Sequence, residues 1–106
     1  MSGRLVIVAF KPNEGMEDRL ERLVLKHVPL LRELELVTER EPVIMRCEDG
    51  TVVEVFEWAS PQAVEKAHEN AAVRSLWDQY AELCEYIPIG HVKQCREMFA
   101  DFTPLN

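Results

Sequence analysis

The spacing of apolar side chains changes along the chain, and each change marks an element. Arg4 to Lys11 reads R-L-V-I-V-A-F-K, a β-branched run too short for a helix and too evenly apolar to have a wet face. It predicts a strand covered on both sides. Pro12-Asn13-Glu14-Gly15 ends the run, and Asn13 is expected to cap a helix with inward positions at Met16, Leu20, Leu23, Val24, Leu31 and Leu34. Pro29 falls inside that stripe, where it should free the carbonyl of Leu25 and bend the last turns. After the polar stretch Thr38 to Glu41, a strand over Val43 to Cys47 is followed by Asp49-Gly50 and a return strand over Thr51 to Trp58. Asp-Gly predicts a two-residue type I′ hairpin, which needs positive φ at both positions. Ser60-Pro61 opens a short helix to about Glu69, with the hydroxyl as cap and proline at the first helical position. Asn70 caps a longer helix whose inner face is Val73, Leu76, Trp77, Tyr80 and Cys84. Tyr86 to Ile89 predicts a fourth strand. The tail from His91 carries Val92, Met98, Phe99, Phe102 and Leu105, which need a surface to dock on.

Strand, helix, strand, strand, helix, strand is the order of the ferredoxin-like βαββαβ unit, an α+β fold with both helices on one face of a four-stranded antiparallel sheet. With 106 residues the chain has room for one domain, here residues 1–106 with 91–106 as a C-terminal docking tail. Because the first strand has no polar side, the other sheet face is apolar too, which predicts an isologous homodimer with two sheets face to face. Composition, at 47% hydrophobic and 29% charged, is that of a folded globular protein. Leu5 to Phe10 is the longest apolar stretch, far short of the roughly 20 residues that span a bilayer, and Met1-Ser2-Gly3-Arg4 precedes it without a cleavage-type end. A soluble, cytoplasmic protein with no membrane partner is expected. Nineteen acids against twelve bases leave a net charge of -7, which repels phosphate backbones and argues against nucleic acid as a partner. Cys47, Cys84 and Cys95 are odd in number and contain no C-x-x-C pair, so no disulfide framework is expected. The Cys84, His91, Cys95 spacing is not that of a zinc knuckle, and no metal site is expected.

Candidate chemistry follows from the hairpin. Pairing through a two-residue Asp49-Gly50 turn sets Cys47 against Val52, Met45 against Glu54 and Val43 against Phe56. One face then carries Val43, Met45, Cys47, Val52, Glu54, Phe56 and Trp58, and Arg46 reaches Glu57 on the other. Glu54 is a carboxylate among apolar neighbours, where desolvation would raise its pKa and make it a proton acceptor; the plainer reading is an ion pair with a basic residue of the other subunit or a wet rim position. His27 lies on the buried stripe of the first helix, either as a core histidine bonded to a carbonyl or as a general base facing a cavity. His68, beside Glu69 and Asn70, reads as a helix-terminus residue. Phe56, Trp58, Trp77, Tyr80 and Tyr86 form an aromatic set that either fills a core or lines a pocket for a flat ligand, with tyrosine hydroxyls as orienting donors. No G-x-S-x-G, Walker loop, dinucleotide glycine fingerprint or H-E-x-x-H occurs.

Phe10-Lys11-Pro12 with Gly15, the Asp49-Gly50-Thr51 hairpin leading into Glu54-Val55-Phe56-Glu57-Trp58, and Ser60, Ala67-His68 and Ala72-Val73 to Leu76-Trp77 together resemble a known family. It is the dimeric α+β barrel superfamily, and within it the antibiotic-biosynthesis-monooxygenase-like (ABM-like) domains, over roughly residues 4 to 90. The resemblance implies the fold and the homodimer. It also implies a cofactor-independent monooxygenase acting on a small aromatic or polyketide/quinol-type molecule, whose anion His27 or Glu54 would generate. The alternative is a non-catalytic dimeric ligand-binding or accessory domain. Haem-degrading relatives bind iron through a helix histidine, but His68 does not align to that role, so no cofactor is expected.

Overall fold

A computed structural model describes residues 3–106. The elements are β1 (Arg4–Pro12), α1 (Glu17–Glu33), β2 (Val43–Arg46), β3 (Val52–Trp58), α2 (Pro61–Glu69), α3 (Ala71–Leu83), β4 (Cys84–Ile87) and β5 (Thr103–Pro104). The fold is α+β, with the strands in one antiparallel sheet of order β4-β1-β3-β2-β5. The sheet has five strands rather than the expected four, because the tail returns to the free edge of β2. There Met45 pairs with Pro104 and Arg46 with Thr103, and the Asn106 side chain bonds the Ile44 amide and the Pro42 carbonyl.

The hairpin register differs by one residue from the expected one. Gly50 is at φ 91°, but Asp49 is not at positive φ, so the turn is not type I′. The Cys47 amide donates to the Thr51 carbonyl (2.7 Å) and the Gly50 amide to the Cys47 carbonyl (3.1 Å), closing a three-residue loop with a left-handed glycine. Asp49 favours this loop by accepting the Thr51 amide at 2.9 Å; desolvation pushes its carboxyl up, but the hydrogen bonds from Thr51 and the Lys11 charge together hold it below the ordinary range. Ile44 therefore faces Glu54, Met45 faces Val53 and Val43 faces Val55. A one-residue slip turns every β2 side chain over. The helix-side face thus holds Ile44, and Val43, Met45 and Cys47 belong to the other. Arg46 and Glu57 are on opposite faces: Arg46 reaches Glu21 of α1, and Glu57 bonds Thr38 and Arg40.

Helix α1 runs through Pro29 to Glu33, and its N-cap is Met16 rather than Asn13. Asn13 instead bonds the end of α3, through its side chain to the Glu82 carbonyl and its amide to the Leu83 carbonyl. Ser60 and Asn70 cap α2 and α3 as the sequence leads one to expect. Cys84 is already extended and begins β4, so that strand starts two residues before Tyr86.

The core on the helix side packs α1, α2 and α3 against Phe10, Ile44, Val52, Phe56 and Trp58. Coverage of the opposite face is uneven. Ile89, with Val92 and Phe102 from the tail, covers Ala9, Cys47 and Val53, while Leu5 (59% exposed), Ile7 (56%) and Val43 (52%) stay open. Strand β1 is thus covered on its second face only in part. Met98 and Phe99 also remain exposed.

The end of α1 is a helix stop with a flaw. The Leu36 amide donates to the Leu31 carbonyl and the Glu35 amide to the Arg32 carbonyl, which places Glu35 in the left-handed position at φ 60°. Glycine is the usual occupant there, since a Cβ costs about 1 kcal/mol in that conformation. Glu35→Gly is therefore expected to raise the melting temperature by a few degrees, and a lowered one in calorimetry would contradict this reading of the helix end.

Candidate functional site

Glu54 occupies the middle of β3, flanked by Val8 on β1 and Ile44 on β2, and is 0% exposed. An ionised carboxylate without a partner at such a site costs several kcal/mol or more. Its partner is His27, one turn before Leu31 on the sheet-facing stripe of α1: Nδ1 lies 2.9 Å from Glu54 Oε1. On the other side of the ring, the Trp77 indole Nε1–H donates to His27 Nε2 at 2.9 Å. An indole nitrogen can only donate, so Nε2 holds the lone pair and the imidazole proton lies on Nδ1, directed at Glu54. One side chain from each of β3, α1 and α3 is thereby joined in a single hydrogen-bonded line.

Two polar atoms stand outside that line. Glu54 Oε2 and the Tyr80 hydroxyl are buried without a hydrogen-bond partner in the protein. Burial, reinforced by the charge of Glu54, pushes the Tyr80 phenol far above its usual range, so it is a neutral hydroxyl able both to give and to accept. Tyr86 is shifted upward as well, chiefly by burial.

These groups border a cavity of about 360 Å³ lined by Val6, Val8, Phe10, His27, Phe56, Trp58, His68, Trp77, Tyr80 and Tyr86. Its volume suits a small flat molecule. Phe10 and Tyr80 stack with centroids 4.7 Å apart and planes 11° from parallel, and the His27 ring meets Phe56 and Tyr80 edge-on. Tyr86 and His68, both exposed, stand at the mouth, where His68 meets the Trp77 ring at 4.9 Å.

The sequence-derived residues come together here. His27, Phe56, Trp58, Trp77, Tyr80 and Tyr86 all line the cavity, and Glu54 lies behind His27, bonded to it but not itself in the lining. The histidine's partner is this carboxylate rather than a carbonyl freed by Pro29. Val6, Val8 and Phe10 were not picked out from the sequence, although their alternate spacing on β1 shows that they share a face. His68 was read only as a helix-end residue.

Other reactive groups are placed differently. Burial, followed by the Asp49 charge, pushes the Cys47 thiol up to about 11, and burial does the same to Cys84, leaving both as neutral thiols. Among the described residues no group of three or more His, Cys, Asp or Glu side chains is arranged to hold a metal ion, and no helix is long and apolar enough to cross a membrane. No family model, curated protein or solved structure matches this chain.

The Glu54–His27 pair makes a testable demand on stability. His27→Leu leaves the carboxylate buried and alone, which should lower unfolding free energy by about 3–5 kcal/mol, whereas His27→Leu with Glu54→Leu removes both polar groups and should recover most of that loss. Urea unfolding of the four members of the cycle measures it. Equal stability of the single and double variants would mean that the pair is not coupled.

Proposed function

We propose that this chain is a cofactor-independent monooxygenase of the ABM-like, dimeric α+β barrel kind, acting on a small aromatic or polyketide/quinol-type molecule bound between helices and sheet. The observation that carries the proposal is the buried Glu54–His27 pair forming one wall of an aromatic-lined cavity. The strand order β4-β1-β3-β2 within the sheet supports the ferredoxin-like reading of the fold.

In this reading His27 Nε2 takes the acidic proton of the substrate, and Glu54 stabilises the imidazolium that forms. The resulting ring anion is electron-rich enough to reduce dioxygen, the co-reactant. An activated ring CH2 becomes C=O with one oxygen atom, and the other leaves as water with the two hydrogens the carbon gave up. Phe10, Phe56, Trp58 and Tyr80 hold the ring plane and keep water away from the anion. Oxygen uptake with a panel of anthrone-like ketones, which carry that CH2, tests this. Active substrates should lose about a hundredfold in rate in His27→Gln, which keeps a hydrogen-bonding side chain beside Glu54; an unchanged rate would refute His27 as the base.

The alternative, a non-catalytic ligand-binding or accessory domain, is favoured by one feature: the lone pair of Nε2 is already engaged by Trp77. Ligand binding with no turnover across the panel would decide for it. Three free thiols are in keeping with a cytoplasmic setting under either reading.

The homodimer rests on Leu5, Ile7 and Val43, an apolar strip on the sheet face opposite the helices. Light scattering should report about twice 12.3 kDa, and Ile7→Glu should return it to the single mass. A wild-type monomer at micromolar concentration would refute this assembly.

A further inference from the structure

We infer that Trp77 is an internal placeholder for the ligand, its indole N–H occupying the position on His27 Nε2 that the O–H of a neutral hydroxyaromatic takes when it binds. The inference rests on the cavity being a ligand site, as proposed above, and goes on to state what the ligand must offer and what it must not carry.

His27 Nε2 is the acceptor on the cavity wall, and in the free protein it receives the Trp77 N–H at 2.9 Å. Whatever displaces that bond must itself be a donor, or a buried acceptor is left without a partner at a cost of about tenfold or more in affinity. The ring proton on Nδ1 is committed to Glu54, so Nε2 has only its lone pair to give. A carbonyl or a carboxylate presented there meets a lone pair with a lone pair. A phenol or enol O–H meets it as the indole N–H does.

A second polar atom fits the same ligand. The Tyr80 hydroxyl is buried and unpartnered, belongs to a side chain that lines the cavity, and can donate to the oxygen whose hydrogen goes to His27. Charge sets the remaining limit. Among the described residues no Lys or Arg lines the cavity, and the charge behind His27 is the Glu54 carboxylate, fully removed from water. An anionic ligand would be desolvated against a like charge with no cation to compensate.

Trp77 has room to yield. It is half-buried, unlike its neighbours Tyr80 and Leu76, and its ring lies between His27 inside and the exposed His68 at the mouth. Turning outward exchanges the bond to Nε2 for water and leaves the ligand's ring to cover the core side chains that the indole packs against.

Three probes of one ring separate the requirements: 1-naphthol offers a neutral donor, naphthalene none, and 1-naphthoate an anion. Titration calorimetry with wild-type protein should rank naphthol at least about tenfold tighter than either of the others. Trp77→Phe removes the competing N–H, and naphthol should then gain about tenfold more than naphthalene does, which discounts the space that the smaller ring frees. In the wild type, the ¹⁵N resonances should show the Trp77 indole N–H leaving its bonded position on addition of naphthol while His27 keeps its proton on Nδ1. Naphthoate binding as tightly as naphthol, an equal gain for naphthalene, no binding of naphthol to either protein, or a Trp77 N–H unmoved by bound naphthol would each overturn the inference. These readouts are of binding alone, so loss of oxygen uptake would bear on the catalytic reading and not on this one.

Discussion

A carboxylate in the middle of a central strand, fully out of water, is the constraint around which the helix-side core is organised. Glu54 requires a partner at the depth of Ile44 and Val8, and on α1 the side chain at that depth is His27. The imidazole in turn has a second nitrogen to satisfy, which fixes Trp77 of α3. The polar line therefore does more than offset a desolvation cost. It specifies how α1 and α3 are rotated against the sheet, since turning either helix by one residue would move its ring to another face and strand a charge in the core.

The same line explains why a cavity survives among so many aromatic rings. Close packing is the rule in protein interiors, yet here ring orientation is dictated by hydrogen bonds and edge contacts rather than by filling space. His27 meets Phe56 and Tyr80 at near right angles, and Tyr80 is held parallel to Phe10. Rings fixed at those angles cannot collapse onto one another, so the space between them persists. Stability and the open space between the rings thus share one origin.

Much of this was legible in the sequence. An evenly apolar β-branched run, the Asp-Gly turn and period-3.6 spacing marked the elements, the Ser60 and Asn70 caps fixed two helix starts, and an acid among apolar β3 residues and a histidine on an apolar helix face singled out Glu54 and His27. Their meeting was not legible, because 27 positions separate them and each had a plausible separate partner. The register of β2 was missed for a local reason. Asp-Gly favours two hairpin loops of different length, and the bond that Asp49 accepts from the Thr51 amide tips the choice to the longer. The fifth strand was missed because Thr103–Pro104 is too short to carry a periodic signal, and it is held there by Asn106 side-chain bonds that no hydrophobic pattern reports.

The register of β2 shows what the surroundings of the Glu54–His27 pair depend on. With Met45 against Glu54, the outer face would have taken Ile44 and the inner one Cys47, placing a thiol near the buried carboxylate. The observed slip sends Cys47 under the tail beside Ala9, Val53 and Val92 and brings Ile44 in its stead to the helix side. His27 then supplies the hydrogen bond that the acid accepts, and the proton on Nδ1 is held there. A single bond at the turn, from the Thr51 amide to Asp49, therefore helps decide that Ile44 rather than a thiol-bearing face of β2 flanks the Glu54–His27 pair, some distance from any residue that lines the cavity.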